Sequence, residues 1–226
     1  MVKTVLMDLD DTILDFRKAE ASAIANTLLA LGLDSSGQVC ERYHAINKRH
    51  WGLLEEGKIT RAQVKRLRFV RLFEELGAEC DVEKVCRLYE ENLAGGAFLI
   101  PGALALLEEL APRYDLYIAS NGGAAVQNAR LDAAGIRKYF KGQFISEDLG
   151  ANKPSPAFFE ACFRAIPGFA RETAVIVGDS LSSDIRGGRN VGLRTIWFHP
   201  EGEPGDIQPD HVIRSLGELP GLLERL

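Results

Sequence analysis

The sequence predicts an α/β fold: a parallel sheet covered by helices on both faces, with an all-helical unit inserted near its start. Three observations carry this. From residue 101 onward, short apolar runs alternate with helical stretches, the pattern that builds parallel sheets. One more apolar run, residues 3–7, stands alone at the beginning and is rich enough in Val and Leu to be a buried strand. Between the two lies a stretch of about eighty residues with helical spacing and no strand signal. That is far longer than an ordinary connection between sheet elements.

Taken in order, the first strand ends in Asp8-Leu9-Asp10-Asp11-Thr12. Residues 17–31 are alanine-rich with helical spacing, and Gly32 is a plausible stop. Residues 36–51 read as a second helix. Thr60-Arg61-Ala62-Gln63 is a capping box that opens a third, running to Leu76 before Gly77. Asp81 is placed to cap a fourth, ending near Leu93. Pro101-Gly102 then opens a helix through Leu110. Strands follow at 116–119, 143–145, 174–177 and 195–198, with a further one at 211–213. Helices are expected at 124–134, 156–166, 183–191 and 216–226. The predicted division is a Rossmann-like core of residues 1–14 and 96–226, with a helical cap at 15–95.

Composition narrows the class. The chain has 226 residues, 46% hydrophobic and 26% charged, which excludes a disordered protein. Its net charge of −5 argues against a nucleic-acid polymer, whose binding is driven by clustered cations. The cysteines, Cys40, Cys80, Cys86 and Cys162, form no C-x-x-C pair and read as reduced thiols. Acids at Asp8, Asp10 and Asp11 interrupt any signal-peptide core, and no run approaches the roughly 20 apolar residues of a membrane span. A cytoplasmic protein, without membrane partners and monomeric or weakly dimeric, is the expectation.

The chemistry lies where strands end. Met7 gives way to Asp8-x-Asp10, Ala119 to Ser120-Asn121-Gly122, and Val177 to Gly178-Asp179 with Asp184 five residues on. In a parallel sheet these ends share the carboxyl edge, where open α/β sheets bind ligands. Each fragment alone has a bland reading as a cap, a turn or a surface lysine. Together, Asp8, Asp10, Asp179 and Asp184 crowd negative charge that needs a cation. Hard carboxylate and carbonyl oxygens with an open position suit Mg²⁺. Lys153 adds a point charge for a phosphoryl group, and Ser120-Asn121 at a helix N-terminus forms an anion cradle.

With these residues in order, the whole chain resembles the haloacid dehalogenase-like hydrolases. Their D-x-D-x-T motif is matched by Asp8 to Thr12, their second-motif hydroxyl by Ser120, their lysine by Lys153, and G-D-x-x-x-x-D by Gly178 to Asp184. The insert resembles the family's helical type I cap. The resemblance implies Asp8 as a nucleophile that forms an aspartyl-phosphate and Asp10 as general acid, then base. Mg²⁺ would lie on Asp8, the Asp10 carbonyl and Asp179. Ser120 and Lys153 would hold phosphoryl oxygens, with Leu9, Asn121 and Gly122 completing the phosphate site. Asp184 would orient Lys153 or a metal-bound water.

Within the insert, Asn47-x-x-x-Trp51, Gly57-Lys58-Ile59-Thr60 and Arg68-Phe69 resemble the nucleoside 5′-monophosphatase branch. That implies a small phosphorylated metabolite as substrate, with Phe16, Trp51 and Arg68 as candidate contacts to its non-phosphate part. The alternative for Trp51, Ile59 and Phe69 is insert core, and for Asn47 and Arg68 surface or capping positions. Rival readings are a sugar-phosphate or phosphoglycolate phosphatase, a mutase, a 2-haloacid dehalogenase and a non-catalytic phosphate-binding relative. A dehalogenase needs no Asp10 acid, and a non-catalytic relative would be expected to lack one of Asp8, Asp10, Lys153 or Asp179; all are present.

Overall fold

A computed structural model describes all residues, Met1–Leu226. The chain divides into two compact units, residues 1–15 with 98–226, and residues 16–97. No helix is long and apolar enough to cross a membrane.

The first unit is built on β1 (Thr4–Met7), β2 (Asp115–Ser120), β3 (Gly142–Ile145), β4 (Ala174–Gly178), β5 (Arg194–Phe198) and β6 (His211–Ile213). All pair in parallel, in the order β3-β2-β1-β4-β5-β6. The first strand therefore lies inside the sheet, flanked by β2 and β4, which explains why all four of its residues are buried. Side chains alternate between the sheet's faces. Val5, Met7, Ile118, Val175 and Val177 join one core cluster, and Leu6, Tyr117, Ala119 and Ile176 join the other. Each such fully buried aliphatic chain contributes roughly 1.5–3 kcal/mol. Both faces are thus apolar, so the strands read as continuous rather than alternating hydrophobic runs.

Helices α5 (Ala103–Leu110), α6 (Ala124–Ala133), α7 (Ser146–Leu149), α8 (Pro156–Ala165), α9 (Arg186–Asn190) and α10 (Leu219–Arg225) belong to the same unit. Two local features depart from the sequence expectation. The turn α7 is too short to carry a helical period. The stretch after β4 opens with a π-helical turn at Leu181–Ile185, two residues before the expected helix start, because Ser180 caps it by accepting from the Ser183 N–H.

The second unit holds α1 (Phe16–Ala30), α2 (Gly37–Glu55), α3 (Arg61–Leu76) and α4 (Val82–Ala94), labelled ahead of α5 in chain order. Thr60 and Gln63 form the expected capping box, and Gly77 ends α3 in a left-handed conformation (φ 61°). Helix α2 runs to Glu55, past the expected Trp51. Tyr43, Phe69 and Tyr89 pack ring against ring at 5.3–5.4 Å in this unit's core.

Candidate active site

The strand ends of the first unit converge as their topology requires. Asp8 follows β1 directly, and its N–H still donates to Val177 O at 2.9 Å, so the backbone is held in the ladder. The chain then turns tightly, with Ile13 and Leu14 N–H both donating to Leu9 O. Asp11 takes φ 53° in this turn, a left-handed conformation that Asp tolerates better than a β-branched residue does. Ser120 ends β2, and Asp179 follows the last residue of β4.

Lys153 reaches the site from the loop after α7. Asn121 holds it there with both ends of its amide: Asn121 Oδ1 accepts from Lys153 N at 2.8 Å, and Asn121 Nδ2 donates to Lys153 O at 2.9 Å. The Lys153 ammonium, 1% exposed, donates to Asp8 Oδ1 at 2.7 Å and to Asp184 Oδ1 at 2.6 Å. The other Asp184 oxygen accepts from Ser180 N at 3.1 Å, so both its oxygens are engaged. Gly178 makes this possible. A Cβ there would fall 2.2 Å from Asp184 Cγ.

Carboxylate oxygens of Asp8, Asp179 and Asp184 lie within 4.8 Å of one another. Burial pushes the Asp8 carboxyl up to about 8; Lys153 opposes that rise, while Asp184 and Asp10 add to it. Burial, then Asp8 and Asp184, raise Asp179 well above the ordinary carboxylate range. Burial works against the charge of Lys153, yet Asp184 and Asp8 outweigh it and hold the ammonium above its usual pKa. One ammonium therefore faces three carboxylates. The surplus negative charge, on hard oxygen donors, fits a divalent cation such as Mg²⁺. Asp179 Oδ1 has a long contact, 3.5 Å, from Thr12 Oγ1, and Trp197 Nε1 fixes its carbonyl at 2.6 Å.

Asp10 and Ser120 are joined by two residues the sequence reading missed. Gln127 Nε2 donates to Asp10 Oδ2 at 2.6 Å and to Ser120 Oγ at 2.8 Å. Arg130 NH1 donates to Asp10 Oδ1 and, at 3.0 Å, to Gln127 Oε1. Both side chains are buried on α6. Their signal was a polar pair three residues apart on a helix that must bury one face. The Gly122 N–H donates to Ser120 Oγ at 3.1 Å, so within the expected phosphate cradle it supports the hydroxyl. Leu9 is fully buried in the turn.

In the helical unit, Phe16 and Trp51 are half-buried, and the Arg61 guanidinium lies 5.6 Å from the Trp51 ring centroid. Asn47 and Arg68 are neither surface nor capping residues. Both are buried, and Arg68 NH1 donates to Asn47 Oδ1 at 3.0 Å. Arg68 also lies over the Phe69 and Tyr89 rings at 4.9 and 4.7 Å. Asn47 Nδ2 in turn donates to the buried Glu20 carboxylate at 2.6 Å, whose other oxygen meets His44 Nδ1 at 2.5 Å. Glu20 has no motif around it and gave no sequence signal.

The haloacid dehalogenase-like hydrolase family matches residues 2–192. The HAD-hydrolase YfnB of Bacillus subtilis is 40% identical over 219 residues, 96% of this chain and 93% of its own. Its crystal structure, described as bound to magnesium and as revealing interdomain movement, superposes with a TM-score of 0.94 over 98% of both chains. The pyrimidine 5′-nucleotidase PynA of Streptococcus pneumoniae is 38% identical over 226 residues, 99% of this chain and 95% of its own. The pyrimidine 5′-nucleotidase YjjG of Escherichia coli is 31% identical over 221 residues, 97% of this chain and 96% of its own. With the four motifs gathered at one edge of a parallel sheet, these matches identify the chain as a member of the haloacid dehalogenase-like hydrolase family.

Proposed function

We propose that the chain is a Mg²⁺-dependent phosphatase that hydrolyses a nucleoside 5′-monophosphate through an aspartyl-phosphate on Asp8. The observation that carries it is Lys153 held between Asp8 and Asp184 with Asp179 alongside: a buried carboxylate with its own cation, at a site with room in its charge balance for another. The nucleotide part rests on the insert residues and on the likeness to PynA and YjjG.

Asp8 attacks phosphorus, and the bond from phosphorus to the 5′ oxygen breaks. Asp10 gives that oxygen a proton. Water then attacks the aspartyl-phosphate, Asp10 takes a proton from it, and inorganic phosphate leaves. Ser120 and Lys153 donate to the phosphoryl oxygens as their charge shifts. Asp8, the Asp10 carbonyl and Asp179 would hold the metal; Asp184 is already committed to Lys153 and Ser180. When bound, the metal supplies positive charge against the carboxylates and the phosphoryl group. The helical unit is read as the cap that excludes water, with Phe16 and Trp51 available to the base. The presence of Asp10, whose side chain is tied to Ser120 through Gln127, favours this reading over a dehalogenase, which has no leaving oxygen to protonate.

The test is turnover of UMP, dUMP and dTMP against glucose 6-phosphate and phosphoglycolate, with Mg²⁺ and after chelation. Nucleotides are expected to win in kcat/KM, and EDTA is expected to abolish activity on all. A tenfold advantage for a sugar phosphate or phosphoglycolate, about 1.4 kcal/mol of transition-state preference, ends the nucleotide reading. Undiminished turnover after chelation ends the metal reading. Mg²⁺ is also expected to raise the melting temperature. At 100 times its dissociation constant the ion stabilises the native state by about 2.7 kcal/mol. Asp179→Asn shrinks that shift.

A further inference from the structure

The hydrogen-bond inventory around Ser120 has one solution. A hydroxyl offers one donor and two acceptor lone pairs. The Gly122 N–H and Gln127 Nε2 both donate to Ser120 Oγ, which fills the acceptors. What is left is the O–H, which can only donate. Ser120 is thereby set as a donor before any anion arrives.

The orientation of the Gln127 amide is equally constrained. Arg130 only donates, so the atom facing its NH1 must be Gln127 Oε1. The Asp10 carboxylate accepts, so the atom facing it must be Nε2. Flipping the amide would set oxygen against carboxylate and NH₂ against guanidinium, and would leave Ser120 without its second donor. Arg130 therefore fixes Gln127, and Gln127 fixes Ser120. Both donors also grip Asp10, one on each oxygen.

The glycine at 122 belongs to the same arrangement. A Cβ there would lie 2.4 Å from Gln127 Nε2 and 2.5 Å from its Cγ. The second glycine-side position of Ser120-Asn121-Gly122 is thus the space that Gln127 occupies. Arg130 and Gln127 are 0% and 1% exposed. Burying a guanidinium and an amide is costly, and the bonds that offset this cost run to the site: Arg130 NH1 donates to Asp10 and Gln127, and Gln127 Nε2 to Asp10 and Ser120.

We propose that Gln127 and Arg130 are positioning residues that hold the Asp10 carboxylate and the Ser120 hydroxyl in register with each other. This rests on the phosphatase reading of the site. In that reading Asp10 matters most when the leaving oxygen is a poor leaving group, and Ser120 matters for every phosphoryl group.

Two esters separate these roles. p-Nitrophenolate leaves without a proton, whereas the 5′ oxygen of UMP needs one. The quantity to compare is kcat/KM, because it covers the steps up to loss of the leaving group. Gln127→Met is expected to lower kcat/KM for UMP about 10²-fold, the usual scale of a lost general acid, and for p-nitrophenyl phosphate at least tenfold less. Asp10→Asn gives the reference signature. Gly122→Ala, which forces Gln127 aside, is expected to reproduce the same skew. Arg130→Lys, retaining one donor, is expected to recover part of what Arg130→Met loses.

Circular dichroism and the Mg²⁺-induced melting shift confirm that each variant is folded. Should an Arg130 variant fail that check, Gln127→Met and Gly122→Ala still decide. Equal losses on both esters, or no loss on either, overturn the proposal. A wild-type protein that hydrolyses p-nitrophenyl phosphate but not UMP overturns the nucleotide reading alone, and glycerol 2-phosphate then serves as the alkyl ester. A wild-type protein that hydrolyses none of these overturns the phosphatase reading on which the proposal stands.

Discussion

Asp8→Asn is expected to abolish phosphatase turnover without weakening the fold. The amide keeps the shape of the carboxylate but cannot attack phosphorus, so the loss is at least the roughly 10²-fold of a missing catalytic group. Stability should move the other way. Asp8 shares its site with Asp184 and Asp179, and burial already pushes its carboxyl up to about 8. Above that pH an uncharged amide relieves the crowding, and below it the amide replaces a carboxyl that is already largely uncharged. The metal-free variant should therefore melt no lower than the metal-free wild type, while its Mg²⁺-induced shift shrinks. Steady-state kinetics with UMP, paired with thermal melts with and without Mg²⁺, checks both halves. Near wild-type turnover in Asp8→Asn would mean that the nucleophile lies elsewhere.

Lys153→Met has the largest expected effect on stability. The ammonium is the cation that Asp8 and Asp184 share, and Asp184 is fully buried. Deleting one partner of a buried pair costs about 3–5 kcal/mol, because the remaining charge is left without compensation. For a chain of this size that is a fall of roughly 6–20 °C in melting temperature. The pH dependence follows from the raised pKa of Lys153. Its contribution is complete below the ordinary lysine value of 10.5 and is lost only as pH rises through the higher folded value. The deficit of the variant is therefore full at neutral pH. Adding Asp184→Asn to Lys153→Met removes one orphaned charge and should restore part of the loss. Calorimetry on wild type, Lys153→Met and the double variant checks this, and a Lys153→Met protein as stable as wild type would refute the account. Activity should fall with it, since Lys153 also faces the phosphoryl group in the proposed mechanism.

What could be read from the residues, and what could not, divides along physical lines. The strands of the first unit are buried on both faces, so their apolar runs announce them, and Asp8, Ser120 and Asp179 stand at the abrupt ends of those runs. Gly178 and Lys153 were visible as motif members, but the reason for Gly178, the space that Asp184 fills, is a three-dimensional fact. Gln127 and Arg130 lay inside a helix, where polar residues ordinarily face water; only the packing of α6 reveals that theirs are buried. Arg68 and Asn47 illustrate the same difficulty from the other side. Their charge and polarity suggest a surface, whereas Glu20, which belongs to no recognisable pattern, gives Asn47 a buried partner, and Asn47 in turn gives Arg68 one. The π-helical turn at Leu181–Ile185 depends on a serine cap whose alternatives look equally good on paper.

The placement of β1 between β2 and β4 also sets when the site can come into being. Lys153 and Asp8 are 145 residues apart along the chain. At about 5–20 residues per second, roughly 7–30 s of synthesis separates them on the ribosome. For most of that interval β2 has not been made, and β4, the other neighbour of the strand carrying Asp8, follows only after Lys153. Contacts of such long range must repay a large loop-closure entropy before they stabilise anything, which slows folding. This strand is thus made before both of its neighbours and is flanked on both sides only once β4 is made, and its acid-rich end, Asp8-Leu9-Asp10-Asp11, keeps a charged boundary beside it while it waits.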